Sequence, residues 1–163
     1  MNKKWIISLG MLLVAFTGSA QLPGTSLKDI NGKMVETATL KNDGKPFVIS
    51  FFATWCKPCQ RELNAIQEVY EEWQEETGMK LIAVSIDEAQ NINKVKPLVD
   101  TSGWEYEVLL DPNGDFKRAM GVNMIPAVFV IDGNGEIAYT KSGYTPGAEA
   151  HLITKIRELL KKQ

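Results

Sequence analysis

The chain has only two cysteines, and they stand two residues apart in Trp55-Cys56-Lys57-Pro58-Cys59. Two thiols at that spacing suit thiol–disulfide exchange, in which a thiolate attacks a disulfide sulfur and a second thiol resolves the mixed disulfide. A free thiol, with a pKa of about 8.5, is only a few per cent ionised at neutral pH. Lowering that value by about 1.5 units takes about 2 kcal/mol. A helix N-terminus supplies about 0.3–1 kcal/mol of it. The rest must come from hydrogen bonds and from a small Coulomb contribution of Lys57. Cys56, the first of the pair, is expected to lie just before a helix as the exposed attacker, with Cys59 as the inner resolving thiol. Pro58 suits an early helical position, where its missing N–H costs little. As a mere staple the pair would be poor. Closing a loop of about four residues is worth about 2 kcal/mol in the chain-entropy account, against about 3 for a 15-residue loop.

The flanking sequence supplies the elements that would hold such a pair. Residues 47–53 are apolar except for Ser50 and read as a strand covered on both faces. Residues 60–77 read as one amphipathic helix with a stripe at Glu62, Ile66, Val69 and Trp73, closed by Gly78. Residues 81–86 and 127–131 repeat the buried-strand character, and the helical stretches between them argue for a layered α/β domain. Asn31-Gly32 marks a turn in a polar N-terminal lead-in, where short strands are expected. A helical stretch is expected from about Ala89 to Ser102, a strand over 106–110, and a short helix over 115–120. Asp132-Gly133-Asn134-Gly135 is expected to join two antiparallel strands, and a last helix to start near Pro146. His151 falls on the polar side of that helix, beside Lys155 and Glu158.

A net charge of −2 with no basic run among aromatics argues against nucleic acid as a partner. Residues 1–20 form the one compositional anomaly. Lys3-Lys4 precedes an apolar run, and Gly18-Ser19-Ala20 places small residues before Gln21, the pattern of a secretory signal peptide. An uncleaved anchor is the weaker reading, because the run falls short of the roughly 20 residues a membrane span needs. The expected organisation is a signal peptide over 1–20 and a single domain over 21–163. Loss of Lys3 and Lys4 takes the net charge from −2 to −4.

The stretch Phe51-Phe52-Ala53-Thr54-Trp55-Cys56-Lys57-Pro58-Cys59 resembles the active-site segment of thioredoxin-fold proteins, and Met124-Ile125-Pro126-Ala127 resembles their second conserved element. The resemblance implies a central mixed β-sheet flanked by helices, with an N-terminal β lead-in and a helix-containing insert. It also implies a cis Ile125–Pro126 bond that puts Ile125 and Pro126 beside the sulfurs. Pattern alone says only that Pro126 opens a strand. Within that fold the chain is most similar to the exported TlpA/ResA-like reductases. The matching features are the lead-in Asp29-Ile30-Asn31-Gly32-Lys33, the long segment over 87–122, and Glu62 three residues after Cys59. That likeness implies a periplasmic protein-disulfide reductase, an inner-membrane electron donor and, as one substrate class, the haem-site cysteines of apocytochrome c. A monomer is expected.

Glu62 stands out from two directions. An acid on the sheet-facing stripe is out of place, and burial would raise its pKa and let it exchange protons with the thiols near neutral pH. The related family uses a glutamate at this spacing in that role, whereas thioredoxins proper carry an acid in the preceding strand, where this chain has Ser50. The bland alternative for Glu62 is an exposed first-turn acid favouring the helix dipole. Trp55 belongs either to a flat apolar docking surface or to the packing. No metal or cofactor is expected: two cysteines and one remote His cannot complete a four-ligand zinc site, and Gln60 rather than His follows Cys59, which excludes covalent haem. The alternatives are an exported binding or chaperone-like module with an inert disulfide, and a thiol peroxidase, although its Thr-x-x-Cys arrangement is missing at Cys56.

Overall fold

The computed structural model describes residues 21–162; the expected signal segment over 1–20 lies outside the described residues. Seven strands form one mixed sheet. They are β1 (Ser26–Asp29), β2 (Met34–Glu36), β3 (Phe47–Phe52), β4 (Lys80–Ser85), β5 (Glu107–Leu110), β6 (Ala127–Ile131) and β7 (Ile137–Ser142). Their order is β2-β1-β5-β4-β3-β6-β7. The parallel trio β3, β4 and β5 is the centre, with β6 antiparallel to β3. The helices are α1 (Lys57–Gln67), α2 (Tyr70–Thr77), α3 (Val95–Ser102), α4 (Asp115–Ala119) and α5 (Glu149–Leu160).

Strand β3 is buried at every residue and divides its side chains between two cores. Val48 and Phe52 face Leu63, Ile66, Leu152 and Ile156 of α1 and α5, whereas Phe47, Ile49 and Phe51 face Phe116, Phe129 and Ile131. Period-two alternation on a strand covered on both sides produces this division. Burial of large apolar side chains on both faces, at about 1.5–3 kcal/mol each, holds the carboxyl end of β3 rigidly where the cysteine segment leaves it.

The expected lead-in is present as the β1–β2 hairpin turning at Asn31-Gly32, and β1 joins the main sheet by antiparallel pairing with β5. Gly78 ends α2 in the left-handed conformation at φ 64°, which glycine adopts without a steric penalty. Three expectations need correction. The helix expected to run unbroken to Thr77 starts at Lys57, directly after Cys56 as expected, but is interrupted at Glu68 and Val69, where Val69 sits at φ −120°. Periodicity cannot show that break, because it carries no Pro or Gly and the buried stripe continues through Tyr70 and Trp73. The helix expected from Ala89 forms only at Val95, after a 3-10 turn over Ile92–Lys94. Pro97 then falls in its first turn, where no N–H is needed. The last helix begins at Glu149 rather than near Pro146, because Gly147 at φ 86° cannot lie in a right-handed turn.

Candidate active site

Strand β3 delivers the chain into the turn 53–56, closed by the Cys56 N–H donating to the Ala53 carbonyl at 3.0 Å. Helix α1 then starts with Cys56 as its N-cap, in extended conformation, and Pro58 in its first turn. Cys56 and Cys59 are joined by a disulfide, Sγ to Sγ 2.02 Å. The Cys59 N–H donates to Cys56 Sγ at 3.3 Å. One of the orphan N–H groups of the helix start therefore points at the first sulfur, where it would favour a thiolate. Cys56 is less exposed than expected. It is 5% accessible against 1% for Cys59, so the order of exposure holds, but in the disulfide form both are buried.

The loop before the cysteines is tied down from beneath by a residue that sequence reasoning missed. Asp87, fully buried after β4, accepts from the Thr54 N–H at 2.8 Å, the Thr54 hydroxyl at 2.6 Å and the Ser85 hydroxyl at 2.9 Å. Gln60 adds a bond from its side-chain N–H to the Thr54 carbonyl at 2.6 Å. Only Thr54-to-β4 proximity, set by the parallel β3–β4 register, reveals Asp87.

The Ile125–Pro126 bond is cis. Pro126 is buried, Ile125 is partly exposed beside it, and the Pro126 carbonyl accepts from the Gly143 N–H at 2.8 Å. Trp55 is 65% exposed, which decides against a packing role for it. Trp55, Met124 and Ile125 line one cleft of about 590 Å³ next to the cysteine segment. Lys57 is exposed and donates to Gln60 Oε1 at 3.2 Å.

Glu62 lies on α1 one turn beyond Cys59, a spacing that puts the two on one face with Cβ atoms about 5–6 Å apart. It is fully buried, which rules out the exposed-acid reading. One carboxylate oxygen pairs with the Nζ of Lys141, and the other, Oε2, has no hydrogen-bond partner among the described residues. Burial pushes the Glu62 pKa up. The hydrogen bond and the charge of Lys141 pull it down, and Glu149 adds a small upward push. The result is a carboxyl group held above the usual carboxylate range.

Lys141 is the second residue missed. Ser50 on β3, Val128 on β6 and Lys141 on β7 are in register across the sheet and so share one face, the α1 face. Strand β7 alternates between partly buried Ile137, Tyr139 and Lys141 and exposed Ala138, Thr140 and Ser142. A lysine in the inward series is the signal that exposes it. Its ammonium also lies 5.5 Å from the Tyr144 ring centroid. Ser50 is buried and its hydroxyl has no partner among the described residues, so this position holds no acid. His151 is exposed on α5. Among the described residues no group of His, Cys, Asp or Glu is arranged to hold a metal ion.

A Cys-x-x-Cys disulfide at a helix N-terminus, a cis proline at the start of β6 and a mixed sheet of this order define a thioredoxin-like fold. The chain belongs to the AhpC/TSA family, which matches residues 19–140. Among solved structures, a thioredoxin-like protein from Porphyromonas gingivalis is 69% identical, covering 88% of this chain and 94% of that one, with a TM-score of 0.79. A thiol:disulfide interchange protein from Chlorobium tepidum is 26% identical over 90% of this chain and 99% of its own, with a TM-score of 0.70. The thiol-disulfide oxidoreductase ResA of Bacillus anthracis is 32% identical over 117 residues, 72% of this chain. The chain spans about 65% of the length of that curated relative.

Proposed function

We propose that the protein is an exported thiol–disulfide oxidoreductase acting as a reductant of protein disulfides, with Cys56 and Cys59 as its redox couple. The observation that carries this reading is a disulfide closed across two residues at the start of α1, with a buried, charge-paired carboxyl group one turn further along. A staple needs neither the helix end nor the acid. The named ResA and interchange-protein relatives support the same chemistry.

In the reduced protein the Cys56 thiolate attacks a substrate disulfide. The substrate S–S bond breaks, a mixed disulfide forms, and one substrate sulfur leaves as a thiolate that takes up a proton. Cys59 gives its proton to ionised Glu62, attacks Cys56 Sγ, closes the Cys56–Cys59 bond and releases the second substrate thiol. Two electrons pass from the protein to its substrate, and an external dithiol donor restores the reduced couple. Trp55, Met124 and Ile125 form the apolar surface on which the substrate lies. The pattern over residues 1–20 supports export to the periplasm, where an inner-membrane dithiol protein is the fitting donor. The likeness to the TlpA/ResA-like group makes apocytochrome c cysteines one substrate class.

Equilibration of the couple against graded glutathione redox buffers tests this reading. A potential within or moderately below the glutathione range is expected. A value so low that no glutathione or dithiothreitol mixture reduces the bond would replace the reading with an inert staple.

A further inference from the structure

Trp55 forms a ridge between two clefts, of about 590 and about 460 Å³, that flank the cysteine segment and share Asn91. Their charged lining is lopsided. Lys57, Lys94 and Lys117 contribute three ammonium groups, and Glu88 the one carboxylate, on a chain whose overall charge is −2. None of the three lysines is neutralised by an ion pair among the described residues. Lys57 donates to the neutral Gln60 side chain at 3.2 Å, and Lys94 to the neutral Asn91 side chain at 2.8 Å. Lys117 uses its backbone N–H on buried Asp111 and leaves its ammonium without a carboxylate partner. Lys80, Lys96, Lys141 and Lys155 each meet a carboxylate and the remaining lysines among the described residues do not, so what marks these three is their gathering around Trp55. Glu88 is exposed and accepts from Gln90 at 2.6 Å. Close by, Arg118 and Asp115 cancel each other as a pair. Beside these charges lie two of the large exposed apolar side chains, Trp55 at 65% and Met124 at 60%.

An apolar ridge with a cationic rim fits an apolar segment edged by carboxylates. We infer that the clefts on either side of Trp55 select a partner polypeptide whose disulfide is flanked by Asp and Glu side chains. The inference rests on the oxidoreductase reading and adds a docking step before the same exchange chemistry. Complementary charge around a reactive centre raises encounter rates by about tenfold or more and does so only while salt leaves it unscreened. At about 0.5 M salt the Debye length falls to a few ångströms, and the advantage should collapse.

The test uses the pre-reduced protein and two synthetic disulfide peptides, identical except that the residues flanking the cysteines are Glu in one and Lys in the other. Bis(2-hydroxyethyl) disulfide is the neutral reference. The Glu-flanked peptide should be reduced about tenfold faster than the Lys-flanked one at low salt, and within about twofold of it at about 0.5 M salt. In a Lys94→Glu, Lys117→Glu variant that rate ratio should fall to about one or invert; a ratio is read because it cancels any general loss of activity. Equal rates in the wild type, or a preference untouched by salt or by the double substitution, would overturn the inference. Glutathione disulfide reduced as fast as the Glu-flanked peptide would also overturn it, by showing that a small anion suffices. Failure to reduce even the neutral disulfide would instead remove the oxidoreductase reading on which the inference stands.

Discussion

Lys141 is expected to set the pH at which the couple works, and replacing it with Met isolates that effect. The Glu62 carboxyl is fully buried and the Lys141 side chain is 14% exposed, so little water is present to screen the pair. Burial raises the Glu62 pKa most, Lys141 opposes it through a hydrogen bond and its charge, and Glu149 raises it slightly. Lys141→Met removes both downward influences and leaves both upward ones, so the carboxyl group ionises only at higher pH. Breaking a buried pair by removing one partner costs about 3–5 kcal/mol while the remaining charge persists. Each pH unit corresponds to about 1.4 kcal/mol. Even with Glu62 escaping part of that cost by keeping its proton, the midpoint should move up by at least about one pH unit. The assay is the rate of reduction of bis(2-hydroxyethyl) disulfide by pre-reduced protein across about pH 5–9. The expected result is about tenfold slower exchange in Lys141→Met at pH values below both midpoints, recovered at alkaline pH, with Lys141→Arg close to wild type. A midpoint that stays put or moves down in Lys141→Met would show that Lys141 does not hold the Glu62 pKa down.

Three further outcomes follow from the same geometry. Because the Glu62 pKa is raised on folding, its contribution to stability is fully present below the unfolded value and is lost as pH rises through the folded one. Urea unfolding of the oxidised proteins should therefore show Glu62→Gln gaining on wild type between pH 4 and pH 8, and a pH-independent difference would contradict the assignment. Asp87→Ala removes three hydrogen bonds of 2.6–2.9 Å and strands the Thr54 N–H, a loss of about 2–3 kcal/mol in unfolding free energy; a loss below about 0.5 kcal/mol would show that Asp87 does not hold the loop. Trp55→Ala, at a 65% exposed site, should leave stability within about 0.5 kcal/mol while slowing exchange with a polypeptide disulfide more than with a small neutral one. Equal slowing of both would remove Trp55 from docking.

What the sequence made legible follows from which forces act locally. The strands β3, β4 and β6 could be read because apolar runs of five or six residues have no soluble alternative to full burial. The placement of the cysteines followed from the junction of one such run with a helical stripe, and Glu62 from its position on that stripe. The interruption of the helix at Val69 was not readable, since the buried face continues across it. Nor were Asp87 and Lys141. Asp87 meets Thr54 across 33 residues and Lys141 meets Glu62 across 79, so the first partnership exists only once β4 lies beside β3 and the second only once β7 joins the sheet face that α1 covers. Lys141 did leave a trace, as the one charged residue in the inward series of β7. The burial of Cys56 was not readable either, because its place before the helix says nothing of its closure onto Cys59.

If Cys56 and Cys59 are an exchanging couple with separate roles, single serine variants should separate those roles. Cys59→Ser, which leaves Cys56 as the lone thiol, should accumulate a stable mixed disulfide with a disulfide peptide, mapped to Cys56 by mass spectrometry. Cys56→Ser should accumulate little, because Cys59 is 1% exposed under the helix start. No covalent complex with Cys59→Ser, or equal trapping through Cys59, would contradict the account.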